Sequence, residues 1–147
     1  EDALQQAIDE ALLLEEADKR GIVVTDEDID KMIFDYRNAT GISDKDLNLY
    51  LESKGIAPED VHEMLRTQQR INKLLNETIL SGIEISDEEI ETYRDAFKQQ
   101  IGRVGNSNIV FEPSDEEIRQ AIYLDRAKNS LALYLQNLRS DAEIEIR

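Results

Sequence analysis

Six apolar-periodic segments, separated by a small and regular set of capping residues, constrain the fold of this chain more than any other feature. Gly21, Gly41, Gly55 and Gly82 each follow such a segment, where a helix that closes in a left-handed residue favours glycine. Thr25, Ser43, Ser86 and Ser114 each precede a segment that begins with acids. A hydroxyl there accepts hydrogen bonds from free backbone N–H groups, and carboxylates suit the positive end of the helix dipole. Ser86-Asp87-Glu88-Glu89 and Ser114-Asp115-Glu116-Glu117 carry the full capping-box pattern. Pro58 fits the first turn of a further helix. Helices are therefore predicted near 2–20, 26–39, 44–54, 58–81, 87–101 and 115–139.

The apolar spacing agrees. Ile29, Met32, Ile33 and Tyr36 share one stripe, as do Ile90, Tyr93, Phe97 and Ile101. On the fourth helix Val61, Met64, Leu65, Ile71, Leu75 and Ile79 form a long stripe around Gln68. In the last helix Ile118, Ala121 and Ile122 mark one face, while Leu124, Ala127, Leu131, Leu135 and Leu138 point another way. Residues 131–135 are apolar nearly all round, so this helix is expected to be buried on several sides and to cross the whole assembly.

A short strand is expected to close the chain, because Ala142, Ile144 and Ile146 alternate with charged residues. A lone strand cannot satisfy its backbone, and the candidate partners are residues 22–24, residues 83–85 and a strand upstream of this sequence. Those two stretches belong to a repeated phrase, Gly21 to Ile29 and Gly82 to Ile90, that reads helix end, extended stretch, capped helix start. The expected fold is mostly α: five or six helices around a long C-terminal helix, with at most a small two-stranded β patch.

Composition limits the partners. Among 147 residues, 33 acidic side chains face 17 basic ones, for a net charge of −16. The basic residues form no patch, which disfavours nucleic acid and anionic membranes as partners. No apolar run approaches the ~20 residues of a membrane helix, so no membrane insertion is expected. The chain carries no secretory signal and opens already in helical pattern, so further sequence is expected upstream.

No catalytic constellation emerges. Asp26, Asp28 and Asp30 alternate like the start of a calcium loop, but Lys31 and Arg37 stand where glycine and a bidentate glutamate are needed. Glu88, Glu89, Glu91, Glu116 and Glu117 read as helix-start acids rather than an acid–base pair. His62 has no second ligand at metal spacing. The chain is therefore read as a non-enzyme without metal or cofactor. What remains is surplus apolar surface. Phe34 lies about 140° from Ile29 around its helix. Leu49 and Leu133 are similarly off-stripe, and Tyr123 leaves the first-half stripe of its helix. Together Phe34, Leu49, Tyr123 and Leu133 are candidates for an exposed apolar groove that binds a partner.

The order of these motifs resembles the SurA-type chaperones. The run Ala3 to Gly21 with Leu12-Leu13-Leu14-Glu15-Glu16-Ala17, then Ile22-Val23-Val24-Thr25-Asp26-Glu27, is similar to the N-terminal domain of that family. Gly41-Ile42-Ser43, Leu51, Gly55-Ile56, the helix from Val61 to Ile79 and Ile85-Ser86-Asp87-Glu88-Glu89-Ile90 continue the likeness. Ala127 to Arg147 resembles the family's C-terminal helix and strand.

The resemblance implies a helical chaperone region over 1–101 and a C-terminal helix and strand over 114–147 that pack back on it. Residues 102–113 would be a linker at the place where relatives carry parvulin-type prolyl isomerase domains. The parvulin catalytic residues have no positions here. The family's opening strand would precede Ala3, which leaves strand exchange into a homodimer as an expected mode of association. The function implied is that of a periplasmic or otherwise exported, ATP-independent holdase for unfolded envelope polypeptides, including outer-membrane proteins. The alternatives are the scaffold portion of a prolyl isomerase, or a structural strand-exchange module.

Overall fold

The computed structural model describes residues 2–104 and 112–146. Six α-helices follow one another: α1 (Asp2–Lys19), α2 (Asp26–Thr40), α3 (Asp44–Ser53), α4 (Val61–Thr78), α5 (Asp87–Val104) and α6 (Asp115–Ile146). Short 3-10 turns at Pro58–Asp60 and Leu80–Gly82 lead into α4 and out of it. The chain divides into two compact units, residues 1–77 and residues 78–147.

The caps form as the sequence implies. Thr25 Oγ1 accepts from Asp28 N–H at 3.2 Å while Thr25 N–H donates to the Asp28 carboxylate at 2.9 Å. Ser43 accepts from Asp46 N–H at the start of α3. Ser86 with Glu89 and Ser114 with Glu117 close reciprocal boxes. Gly21, Gly41 and Gly55 are left-handed, with φ of 67°, 69° and 72°. At Gly21 and Gly55 the exit is a Schellman turn: Ile22 N–H reaches Ala17 C=O, and Ile56 N–H reaches Leu51 C=O. Gly82 differs. Its φ is not positive, because the chain leaves α4 through the 3-10 turn rather than a left-handed cap.

Three further expectations are corrected. The closing segment is helix: α6 continues through Ala142 to Ile146, and the described residues contain no strand. With no neighbouring strand to pair with, a helix satisfies the backbone that an isolated strand would leave open. The β patch is therefore absent among the described residues, and the segment expected to exchange between copies is helical. Residues 131–135 are not enclosed on all sides: Leu133 is 60% exposed, and Leu131, Tyr134 and Leu135 are half-buried. On α4 the fully buried residue is Leu74, which lies outside the stripe read from sequence. The expected linker is helical as far as Val104; residues 105–111, most of it, lie outside the described residues.

In the first unit the buried apolar residues are Leu13, Ala17, Ile22, Val24, Ile29, Leu51, Val61 and Leu74. In the second they are Ile90 and Ile118, and α5 and α6 pack against each other. The repeated phrase appears as two similar joints. In the first, Ile22 and Val24 turn inward while Val23 is 68% exposed. Its carbonyls are taken by α4: Arg70 Nε donates to Ile22 C=O at 3.1 Å and Lys73 Nζ to Val23 C=O at 3.2 Å. Arg66 and Arg70 also pair with Asp26 and Asp18.

In the second joint α6 does the same. Arg126 donates to Glu84 C=O and pairs with Glu89, and Arg119 donates to Ile85 C=O at 3.1 Å. The two stretches proposed as strand partners are thus extended, but cationic side chains satisfy them in place of a strand.

Two predictions follow from these contacts. Arg70→Met removes a charge-assisted hydrogen bond to the joint and should destabilise the first unit by about 1.5–3 kcal/mol in urea unfolding. Lys31→Ala, which breaks only the exposed pair with Asp35, should leave the urea midpoint unchanged.

The Glu89 carboxyl is lowered to about 2, first by the Ser86 N–H and then by Arg126 and the Ser86 hydroxyl. Below the ordinary value of 4.5 the unfolded chain therefore binds the proton more readily than the folded one. The stability this group supplies is complete above 4.5 and lost as the pH falls toward 2. In thermal melts, the advantage of wild type over Glu89→Gln should shrink across that window; a constant difference would contradict it.

Candidate functional site

The first unit holds an apolar cleft of about 290 Å³ between α2, α3 and α4. Met32, Ile33 and Tyr36 enter from α2, Leu47 and Tyr50 from α3, and Met64 and Leu65 from α4, with buried Leu51 and Val61 beneath. No charged side chain lines it. Tyr36, Tyr50 and Met64 are 53%, 55% and 44% exposed at its mouth. The sequence has only two methionines, and both are here. Unbranched, polarizable side chains of this kind repack around differently shaped apolar groups. Lys54 lies 5.7 Å from the Tyr50 ring centre, so that ring already presents a face to a cation. Around the cleft His62 Nε2 is 2.8 Å from Asp30, and Arg37 pairs with Asp44 at 2.7 Å.

The second unit has a groove of about 660 Å³ between α5 and α6. Its floor is Tyr93, Ala96, Ala121 and Ile122, and its walls carry Glu88, Glu89 and Asp125. The two alanines explain the depression, since neither fills the space between the helices. Further along α6, Leu133, Tyr134 and Asn137 line another cavity with Ile79 and Ile83. There the Tyr134 hydroxyl is buried without a hydrogen-bond partner.

Of the four residues singled out by helical phase, Phe34, Leu49 and Leu133 are well exposed, at 60%, 53% and 60%. Phe34 and Leu49 sit on α2 and α3 but do not line the cleft. Tyr123 is half-buried beside Ile83 and Ile85, in a different cavity from Leu133. Phe34 and Leu49 thus belong to the first unit, and Tyr123 and Leu133 to two cavities of the second. Sequence reasoning missed the cleft because its lining lies on the main stripes of α2 and α4, which read as core. Met32 and Met64 lie on those two stripes, at positions that the apolar period marks as core.

Residues 1–75 match the family described as the SurA-like N-terminal domain, a stretch that falls within the first compact unit. Over 135 residues, 90% of this chain, the sequence is 21% identical to a protein named Chaperone SurA from Pseudomonas fluorescens strain Pf0-1. It is 22% identical, with the same coverage, to the protein of that name from strain Pf-5. The matched region is 32% of each relative, so the chain spans about a third of the length of the curated relatives it matches. With the family match covering more than half of its 147 residues, the chain belongs to the family of SurA-like N-terminal domains.

Proposed function

We propose that this chain is the polypeptide-binding part of an ATP-independent chaperone, a holdase that shields apolar segments of unfolded clients. The observation that carries this reading is the α2–α3–α4 cleft, apolar throughout, open at Tyr36, Tyr50 and Met64, and lined by both methionines. Membership of the SurA-like family and the name of the relatives support it.

An apolar client side chain that leaves water for the cleft gains ~25 cal/mol per Å² buried, with no chemical step required. Phe34, Leu49, Tyr123 and Leu133 would widen the apolar surface offered to longer segments. The surrounding negative charge would keep the loaded complex soluble and repel acidic chains. An exported, periplasmic setting and envelope clients belong to the same reading, on the strength of the resemblance.

The test is light scattering of a denatured outer-membrane-type protein diluted into buffer with and without this chain. Suppression of aggregation near stoichiometric ratios, without nucleotide, is expected. The pair Tyr36→Ser and Met64→Ser, both exposed positions, should keep the helical circular dichroism and weaken suppression roughly tenfold in the concentration required. Phe34→Asp with Leu133→Asp should also leave the fold intact, and weaken suppression to a smaller degree. A folded wild-type chain that suppresses nothing would overturn the proposal.

A further inference from the structure

The groove between α5 and α6 differs in kind from the cleft of the first unit. Its floor is apolar, but three carboxylates and no cation line it. The nearest basic residue in sequence, Arg126, is engaged with Glu89 and with Glu84 C=O, and so is drawn toward the joint. Asp125 accepts a hydrogen bond from Asn129 at 3.2 Å, and a neutral amide leaves its charge in place. Glu88 is exposed on the first turn of α5, whose dipole is already offset by Asp87, Glu88 and Glu89. Tyr93 offers a ring that is 41% exposed. Ala96 and Ala121 leave room beside it for an unbranched aliphatic stem.

We propose that this groove binds a lysine- or arginine-bearing apolar segment of an unfolded polypeptide, the cation held by Glu88 and Asp125 and its stem laid over Ala96, Ala121 and Tyr93. The inference rests on the chaperone reading and adds a preference to it. Long cationic side chains suit such a site because their methylenes cover apolar surface while the charged head stays near the rim. The Tyr93 ring adds a cation–π contribution. A glutamate or aspartate at the same place in the client would meet like charges. The first-unit cleft has no carboxylate in its lining to hold such a cation.

The experiment is fluorescence anisotropy of the whole chain with two labelled, unstructured leucine-containing peptides that differ only in a central lysine or glutamine. The lysine peptide should bind roughly tenfold more tightly. That advantage should fall as salt rises from about 50 to about 500 mM. Glu88→Gln with Asp125→Asn should bring the two peptides within about twofold of each other and leave the glutamine peptide unaffected. A control pair of equal charge on the first unit, Glu10→Gln with Glu52→Gln, should keep the preference.

Equal binding of both peptides to wild type, with aggregation suppression intact, would overturn this proposal and leave the chaperone reading standing. So would a preference that survives the groove variant, or one that the control pair abolishes equally. Failure of both peptides to bind, with no suppression, would overturn the two together.

Discussion

The extended joints at the start of α2 and α5 are the constraint on which both units depend. Each carries a chain out of one helical element and into a capped helix, and each exposes carbonyls that no strand covers. A buried or half-buried C=O without a partner is costly, and a charged donor satisfies it more strongly than a neutral one. Arg70 and Lys73 do this from α4, and Arg119 and Arg126 do it from α6. The same two helices also line the cleft and the groove, and the division of labour follows helical geometry. On α4 Val61, Met64 and Leu65 face the cleft, while Arg70 and Lys73 hold the joint. On α6, Ala121, Ile122 and Asp125 face the groove, and Arg119 and Arg126 reach the joint from beside them. Holding the joint thus fixes the orientation of the surface.

An open cleft in so small a unit has a simple origin. Below α2 and α4 the interior is closed by Ile29, Leu51 and Val61, and one further helical layer would be needed to cover Tyr36, Tyr50 and Met64. The described residues of the first unit supply no such layer, since α2, α3 and α4 all line the cleft themselves. A stripe that would be core in a larger bundle therefore remains partly wet. Both methionines line that cleft, and their unbranched side chains make it the most adaptable apolar surface of the unit.

Element existence was legible because it is written locally: caps, glycine exits and apolar period all lie within a few residues of one another. The capping boxes at Ser86 and Ser114 and the Schellman exits at Gly21 and Gly55 formed as read. Interactions across the chain were not legible. Arg70 and Ile22 are 48 residues apart, and Arg126 and Glu84 are 42 apart, so the basic residues that hold the joints looked merely scattered. The alternation at 142–147 was read as a strand because period two is a real β signal. It lost to helix continuation because a strand needs a neighbour and a helix does not. The stripe of α2 contains the buried Ile29, whereas that of α4 leaves out the buried Leu74, and a stripe does not record whether anything covers it.

Net charge needs the same care. Many carboxylates are absorbed locally: Asp28, Glu89 and Glu117 cap helices, Asp46 accepts from the Ser43 hydroxyl, and Asp18 and Asp26 receive the arginines of α4. A charge of −16 therefore says less about partners than its size suggests. What carries information is the carboxylate left on a concave apolar surface after these roles are subtracted. Glu88 and Asp125 meet that condition, whereas the cleft of the first unit has no charge in its lining. The two concave surfaces therefore differ in chemistry: the cleft is apolar without charge, and the groove joins an apolar floor to carboxylates.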